Sequence, residues 1–387
     1  MSLMKDPDPA ILAQRFAAQL LTGAAATSAV GVVTRLLAVQ GQDPRGARLA
    51  VRVRSDGLTA ADVDHALTDD RSLLITWLNR GTLHLVCAED YWWLHALTTP
   101  PLATGNVRRL AQEGVSADDA ARAVRVIDQA LGDDGPLTRE QLAERIARIG
   151  VRTEGQAIVH LLFKASVLGI AVRGPMAGRK HAYVRVCDWL GARPARFDPA
   201  RFDRDTALAE LARRYLAGHG PASEKDLAKW AGLPLRDARR GLSAIAGELA
   251  GREDGLADLA DRSASYGAAT VSGRSGAAAV SGRSGAAGSG PSGAASGDHG
   301  VPPPRLLGAY DPLLLGWALR GPVLGPHQQV VTVNGLFRPF ALVDGRAAAT
   351  WSLAGGRVDL APFGPLPERV TRALAADADD VIRFLGS

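Results

Sequence analysis

Two glutamines separated by one glycine, Gln40 and Gln42, are the residues whose type and spacing point most directly to chemistry. Pro44 disfavours helical backbone at Asp43 and biases this stretch toward extended geometry. Side chains two apart in an extended segment share a face, whereas on a helix they would diverge by roughly 200°. Two carboxamides on one face can hold a water molecule or direct two carbonyl dipoles at a cation.

A structural interpretation of the same residues stands beside the chemical one. Polar loop residues commonly bond nearby backbone, and the two glutamines can do so at a helix end. Asp43 offers a similar choice, because its carboxylate can activate a water or cap the helix predicted after Pro44. We favour the cap for Asp43. Glutamine itself cannot act as a general base, because its amide does not titrate near neutral pH.

Composition narrows the class of protein. The 387 residues predict two or three domains, and the net charge of +5 fits a polyanionic partner. No apolar run is long enough to cross a membrane and the N-terminus does not look like a signal peptide, so we expect a cytoplasmic protein. Cys87 and Cys187 lack zinc-ligand spacing and are predicted to be buried thiols. No Walker A, Gly-x-Ser-x-Gly or metal-binding pattern occurs, which argues against an NTPase, a serine hydrolase or a metalloenzyme.

Three successive segments each combine helices with a hairpin. The first has helices over 29–39, 45–53 and 60–67, then two strands over 72–86 around a turn at 79–81. The second has helices over 117–131, 139–149 and 156–168, then a hairpin with a basic turn over 178–181. The third has helices over 206–216, 224–231 and 235–250, and only a weak hairpin signal. Helices followed by a hairpin are typical of the winged helix, a helix-turn-helix variant.

The last third of the chain changes character. Residues 263–299 are rich in Gly, Ser and Ala and cannot bury enough apolar area to order themselves, so we predict a disordered insert. Beyond residue 301, three strands are predicted, with hairpin turns at Asn334-Gly335 and Asp344-Gly345. A helix from Pro367 to Leu385 closes the chain.

The surroundings of the glutamine pair resemble a known family. AVQGQDP at 38–44, ARLAVRVR at 47–54 and WLNRGTLHLV at 77–86 resemble the AlkZ/YcaQ family of winged-helix DNA glycosylases. The family signature is a glutamine, an aliphatic or small residue, and a second glutamine or an aspartate. Gly41 departs from it, because the middle residue is usually bulkier. LLGAYDPLLLGW at 306–317 resembles a second family motif, with Tyr310-Asp311 in place of its usual Phe-Asp core and Arg320 kept after it.

The resemblance implies a fold and a domain plan. The expected fold is mainly α with β: tandem winged-helix (helix-turn-helix) units plus a small C-terminal β-rich, barrel-like module. The expected parts are a first winged helix with the Gln-x-Gln loop over 1–105, a second over 106–198, a third over 199–262, the insert over 263–300, and the β-rich module with the final helix over 301–387.

The resemblance also implies an activity. It is that of a monofunctional DNA glycosylase that removes cationic N7-alkylguanine or N3-alkyladenine, bulky adducts or interstrand crosslinks, and leaves an abasic site. Gln40 and Gln42 would be catalytic, and Asp43 and His84 would support them. We expect a monomer without metal or cofactor, acting on double-stranded DNA that carries alkylated bases. The expected DNA-binding residues are Arg45, Arg48, Arg80, Arg179, Lys180, Arg236, Arg239 and Arg338.

Two further functions fit the same pattern. Winged helices also build transcription regulators and architectural DNA-binding proteins, since a fold does not fix a function. A regulator has no evident need for two carboxamides on one face of a loop, so Gln40 and Gln42 favour the enzyme. The enzyme would serve either general repair or the self-protection of a producer of DNA-alkylating compounds, and the sequence does not decide between them.

Overall fold

Side-chain caps begin several helices at the predicted positions. The computed structural model describes residues 8–178, 180–262 and 300–386. Ser28 accepts a hydrogen bond from the Gly31 amide, and Thr138 and Ser223 form capping boxes. We label the helices α1 Pro9–Ala18, α2 Ala29–Leu36, α3 Pro44–Arg52, α4 Ala60–Thr68, α5 Tyr91–Thr98, α6 Pro100–Gln112, α7 Ala117–Asp134, α8 Arg139–Arg148, α9 Ala157–Val167, α10 Val186–Leu190, α11 Arg204–His219, α12 Glu224–Ala231, α13 Leu235–Ala244, α14 Pro312–Leu315, α15 Gly321–Leu324 and α16 Glu368–Leu385.

A five-stranded antiparallel sheet joins the first two segments. Its strands are β1 Val39–Gln40, β2 Leu73–Leu78, β3 Thr82–Cys87, β4 Ala171–Ala177 and β5 Lys180–Arg185, in the order β1-β3-β2-β4-β5. The two predicted hairpins, β2–β3 and β4–β5, are both present. They meet where Ile75 pairs with Arg173. One sheet therefore carries both hairpins and, at its edge, the strand that holds Gln40.

The sheet is buried on both faces. Ile75 and Trp77 of β2 pack into one apolar cluster, and Leu74 and Leu78 pack into another on the opposite face. This is why β2 carries apolar side chains on both faces, with Thr76 as its one polar residue. The aromatic run Tyr91-Trp92-Trp93 belongs to the core, because all three side chains are buried. Cys87 is buried as predicted, but the same prediction for Cys187 is wrong, because that thiol is exposed.

The third segment keeps its helices but not a full hairpin. Helices α11, α12 and α13 lie where the pattern places them. After α13, two isolated bridges, Ala222 to Ala257 and Leu249 to Leu259, stand in place of strands among the described residues. The insert predicted over 263–300 lies outside the described residues except for its last one. Among the residues described, no helix is long and apolar enough to cross a bilayer.

The C-terminal module is an open sheet. Strands β6 Arg305–Leu307, β7 Phe340–Val343, β8 Arg346–Ala354 and β9 Arg357–Pro362 pair in the order β6-β7-β8-β9. In the described part of the chain this sheet does not close, so the expected barrel-like form is corrected to an open four-stranded sheet. Asp344-Gly345 turns between β7 and β8 as predicted, whereas Asn334-Gly335 lies within a single isolated bridge. Strand β9 was not predicted, although Val358 and Leu360 alternate with Arg357 and Asp359 as in a half-exposed strand.

Three arginines attach α3 to other parts of the chain. Arg52 donates to the carboxylates of Asp377 and Asp380 on α16. Arg54, just after α3, forms a fully buried two-point ion pair with Asp311, at 2.7 and 2.9 Å. Arg48 pairs with Asp64 of α4. These guanidiniums fix the helix that begins directly after the glutamine loop.

Close backbone packing completes the attachment of α3. A Cβ atom added to Gly46 would lie 2.3 Å from the carbonyl oxygen of Ala309. That oxygen belongs to the AYDP stretch, where Asp311 also caps α14 through the Leu313 amide. The first turn of α3 and the second family-like motif are therefore in direct backbone contact.

We expect Gly46→Ala to destabilise the protein. The new methyl group would overlap backbone that cannot rotate away, which costs about 1–3 kcal/mol. Gly105→Ala in α6 is the matched control, because a Cβ atom added there would have no neighbour within 4 Å. That change should stabilise the helix by about 0.5–1 kcal/mol. Urea unfolding measures the free energy of unfolding of both variants. Equal stabilities would contradict the close contact between Gly46 and the Ala309 carbonyl.

Candidate active site

The glutamine loop is held at both ends. Gln40 ends β1, opposite His84 of β3, and the Gly41 amide donates to the Leu83 carbonyl at 2.7 Å. At the other end, Asp43 caps α3 by accepting the amides of Arg45 at 2.9 Å and Gly46 at 3.0 Å. The predicted capping role of Asp43 is confirmed. Between these anchors Gln40 is buried and Gln42 is exposed.

The two carboxamides lie side by side. Nε2 of Gln40 donates a short hydrogen bond to Oε1 of Gln42. The extended geometry predicted from Pro44 is thus confirmed, with Asp43 at φ −104° and ψ 111°. A Cβ at Gly41 would meet Ile75 and the Leu85 amide at 3.5 Å, an ordinary contact distance. The departure from the family pattern at Gly41 therefore leaves the pair aligned.

Arg80 sets the orientation of both amides. One of its Nη atoms donates to the carbonyls of Lys229 and Trp230 at the end of α12, and the other reaches Oε1 of Gln40 at 3.4 Å. A guanidinium only donates, so the Gln40 oxygen must face Arg80 and its amide nitrogen must face Gln42. The oxygen of Gln42 is therefore the acceptor in the pair. Arg80, predicted to bind DNA, is engaged in positioning the glutamines.

His84 lies beneath the pair as a neutral imidazole. It is opposite both Gln40 and Thr76 in the sheet, so the three side chains form a polar row on one face. Nδ1 lies 2.9 Å from the Thr82 carbonyl, which can only accept, so Nδ1 carries the hydrogen and Nε2 the lone pair. Burial, helped by Arg80, lowers the pKa of His84 to about 3. At neutral pH it neither donates a proton as an acid nor carries charge.

The arginines expected at DNA fall into distinct groups. Arg48 is buried on Asp64, so its charge is committed within the protein. Lys180 and Arg239 are exposed but face carboxylates, Glu140 and Glu224 respectively.

The remaining expected contacts are more open. Arg45 and Arg338 are exposed, and the side chain of Arg236 is 86% exposed, with only a 3.9 Å contact to Asp237. Arg179 lies outside the described residues. Of the arginines expected at DNA, Arg45 at the loop and Arg338 on the C-terminal module have no ion pair among the described residues, and Arg236 on α13 has only the long contact to Asp237.

Arg320 is a functional candidate that the sequence pattern left without a role. It lies close enough to Arg80 to lower the pKa of that guanidinium, after the larger effect of burial. Its guanidinium stacks over Phe337 at 4.9 Å and donates to the Leu314 carbonyl. The sequence signal for Arg320 was its position as the one basic residue kept just after the AYDP motif.

We expect Arg80→Met to slow chemistry more than it weakens DNA binding. Without the guanidinium, nothing dictates which way the Gln40 amide turns, and misplacement of this kind costs about tenfold or more in rate. Arg236→Met is the matched control, because it removes an equally large cation from an exposed position. Single-turnover rates of base release and DNA affinities, measured separately, show whether Arg80 acts on the reaction or on binding. Weaker binding at an unchanged rate would make Arg80 a phosphate contact instead.

Comparison with known proteins places the chain in a family. The model of the AlkZ-like DNA glycosylase family matches residues 33–384. The chain belongs to this family. It is a DNA glycosylase, and DNA is its substrate. The glutamine loop, α3 and the AYDP stretch all lie within the matched residues.

The chain is also similar over nearly its whole length to a curated protein and to a solved structure. The interstrand DNA cross-link repair glycosylase of Streptomyces sahachiroi is 25% identical over 391 residues, spanning 97% of this chain and 96% of the relative. The solved structure of the Streptomyces sahachiroi DNA glycosylase AlkZ is similar in fold, with a TM-score of 0.69 and 23% identity over 98% of this chain and 96% of that one.

Proposed function

We propose that this AlkZ-like glycosylase hydrolyses the N-glycosidic bond of cationic N-alkylpurines, N7-alkylguanine or N3-alkyladenine, and leaves an abasic site. The observation that carries the proposal is the bonded pair of Gln40 and Gln42, presented at an exposed loop. Departure of the base builds positive charge on the sugar, and preorganised carbonyl dipoles stabilise that charge. The Gln42 carboxamide, which is the exposed one, positions the attacking water.

The surroundings of the pair restrict the substrate to activated bases. An uncharged lesion needs a proton donor for its leaving base, whereas an alkylated cationic purine leaves without one. His84 is neutral, with a pKa of about 3, and Arg80 does not give up its proton. Among the described residues, those bonded to the pair include no lysine, so no amine is placed there to form the Schiff base of a lyase step.

We extend the proposal to bulky adducts and interstrand crosslinks. The relative from Streptomyces sahachiroi is named for crosslink repair. In this chain a cleft of about 550 Å³ lies beside the loop, lined by Asp43 and Arg45 on one side and by Trp351 and Leu353 on the other. A substituent on the alkylated base can occupy that space without being enclosed. The tandem winged-helix arrangement, with units over 1–105, 106–198 and 199–262, remains our proposal for how DNA reaches the loop.

The test is base release from defined duplexes. Purified protein is incubated with duplex DNA that carries one N7-methylguanine, and alkali then reveals abasic sites as strand breaks. A nitrogen-mustard crosslink between guanines tests the extension, and a uracil duplex is the uncharged control. We expect cleavage of the first two and none of the third. Tight binding without release from any cationic adduct would favour a DNA-binding regulator, and release of uracil would contradict the role given to leaving-group charge.

A further inference from the structure

A second cavity, a notch of about 270 Å³, shares Pro44 of the glutamine loop with the Trp351 cleft. The notch is lined by Pro44, by Arg139 and Glu140 at the start of α8, and by Arg173, Lys180, His181 and Tyr183 of the β4–β5 hairpin. We call this the Arg173 notch. It is distinct from the glutamine pair but shares the loop with it.

Arg173 brings an uncompensated charge into the notch. The residue is half-buried, its Nε donates to the Tyr183 hydroxyl at 2.9 Å, and its guanidinium lies 5.1 Å from the ring centres of both Trp77 and Tyr183. No carboxylate of the described residues forms an ion pair with it. A guanidinium held by aromatic rings and left without a counter-ion favours an anion.

His181 supplies a second, independent sign of a missing ligand. Both of its ring nitrogens are buried; the Gly174 backbone lies close to the imidazole, but neither nitrogen makes a hydrogen bond of normal geometry among the described residues. An unsatisfied buried donor costs about 1–3 kcal/mol, so such groups are usually partnered by a ligand or water. A neutral imidazole offers one N–H, which a phosphate oxygen can accept.

The charge of the notch remains positive after its own carboxylate is included. Glu140 lies at the rim, 3.3 Å from Lys180 and 3.4 Å from Arg139. Those two cations are exposed and share that one carboxylate, so Arg173 keeps its full charge. Arg139, Arg173 and Lys180 together outnumber the single carboxylate of Glu140. The notch therefore has a net positive charge and can bind an anion.

We propose that the Arg173 notch binds one phosphodiester of the DNA strand next to the target nucleotide. The proposal rests on the proposed function, because it takes DNA as the ligand. Gln42 and Pro44 are two residues apart, so their Cα atoms are separated by at most about 7 Å. That is about the rise of two nucleotides along one strand. The bound phosphate would fix the register in which a base meets Gln42.

The binding test compares matched arginine variants. Arg173→Gln should reduce the dependence of log affinity on log salt by about 0.9, the amount expected for one phosphate contact. Arg148→Gln, on α8 but with a 69% exposed side chain paired to Glu144, should leave the slope unchanged. Arg139→Gln, also at the notch, provides a second variant if Arg173→Gln unfolds, as judged by circular dichroism. Equal slopes for both notch variants and wild type would overturn the proposal.

A methylphosphonate scan locates the contact. One uncharged linkage at a time replaces a phosphate near N7-methylguanine, and we expect one position to weaken wild-type binding but not the binding of Arg173→Gln. A flat scan, combined with thermal stabilisation of wild type by inorganic phosphate that Arg173→Gln loses, would show a free-anion site and overturn the DNA assignment. Base release measured on the same duplexes keeps the two proposals separate. If the substitutions and the scan change binding but no base is released, only the proposed reaction is wrong. If base is released but binding does not change, only the phosphate site in the Arg173 notch is wrong.

Discussion

Gln40→Ala and Gln42→Ala are each expected to slow base release from N7-methylguanine by about 10²–10³-fold, the usual cost of removing one preorganised group that stabilises developing charge. DNA affinity should change little, because neither carboxamide carries charge. Gln156→Ala is the matched control, an exposed glutamine whose side chain does not cap α9. Single-turnover rates with excess enzyme make the measurement.

The double variant sharpens this prediction. Because Gln40 donates directly to Gln42, the two amides act as one unit, and groups that act as a unit show strongly non-additive losses. We therefore expect Gln40→Ala/Gln42→Ala to be about as slow as the worse single variant. Two additive losses, or wild-type rates in either single variant, would show that the pair does not work as described.

Asp311→Ala is expected to destabilise the fold by about 3–5 kcal/mol, because it leaves the Arg54 guanidinium buried without a counter-charge. Both side chains of this ion pair are 0% exposed. Arg54 also bonds Gln19 and the Ala50 carbonyl, so it cannot swing out to water without breaking further contacts. Urea unfolding followed by circular dichroism measures the loss.

Two controls separate burial from charge. Glu144→Ala breaks the exposed pair with Arg148 and should cost less than about 1 kcal/mol. Arg54→Met/Asp311→Leu removes both charges and should recover much of the stability lost in Asp311→Ala. If the double variant is no more stable than Asp311→Ala, the loss comes from packing and the electrostatic account of this contact is wrong.

The glutamine site was predictable because local rules decide it. Pro44 restricts the residue before it, and Asp43 lies where a helix cap belongs, so the backbone of this stretch follows from a few neighbours. The paired carboxamides and the first two hairpins follow in the same way. The open C-terminal sheet was not predictable, because whether an edge closes depends on strands far apart in the sequence.

The partners of the arginines could not be predicted from the sequence. Arg45 and Arg48 lie one turn apart on α3 and look equivalent, yet Arg45 is exposed and Arg48 is buried on Asp64. The partners of Arg52 and Arg54 lie 325 and 257 residues away. Positive charge in a sequence says that a partner is needed, but not whether that partner is a phosphate or the protein's own carboxylate.

The attachment of α3 also sets an order of events during synthesis. Arg52 and Arg54 leave the ribosome early, whereas Asp377 and Asp311 follow 325 and 257 residues later. Until then, burying either guanidinium would leave its charge without a counter-ion, so α3 cannot pack stably against the rest of the chain. The glutamine loop that α3 anchors can therefore reach its final form only after Asp311 and Asp377 have been synthesised. A nascent or C-terminally shortened chain would contain Gln40 and Gln42 without an assembled active site.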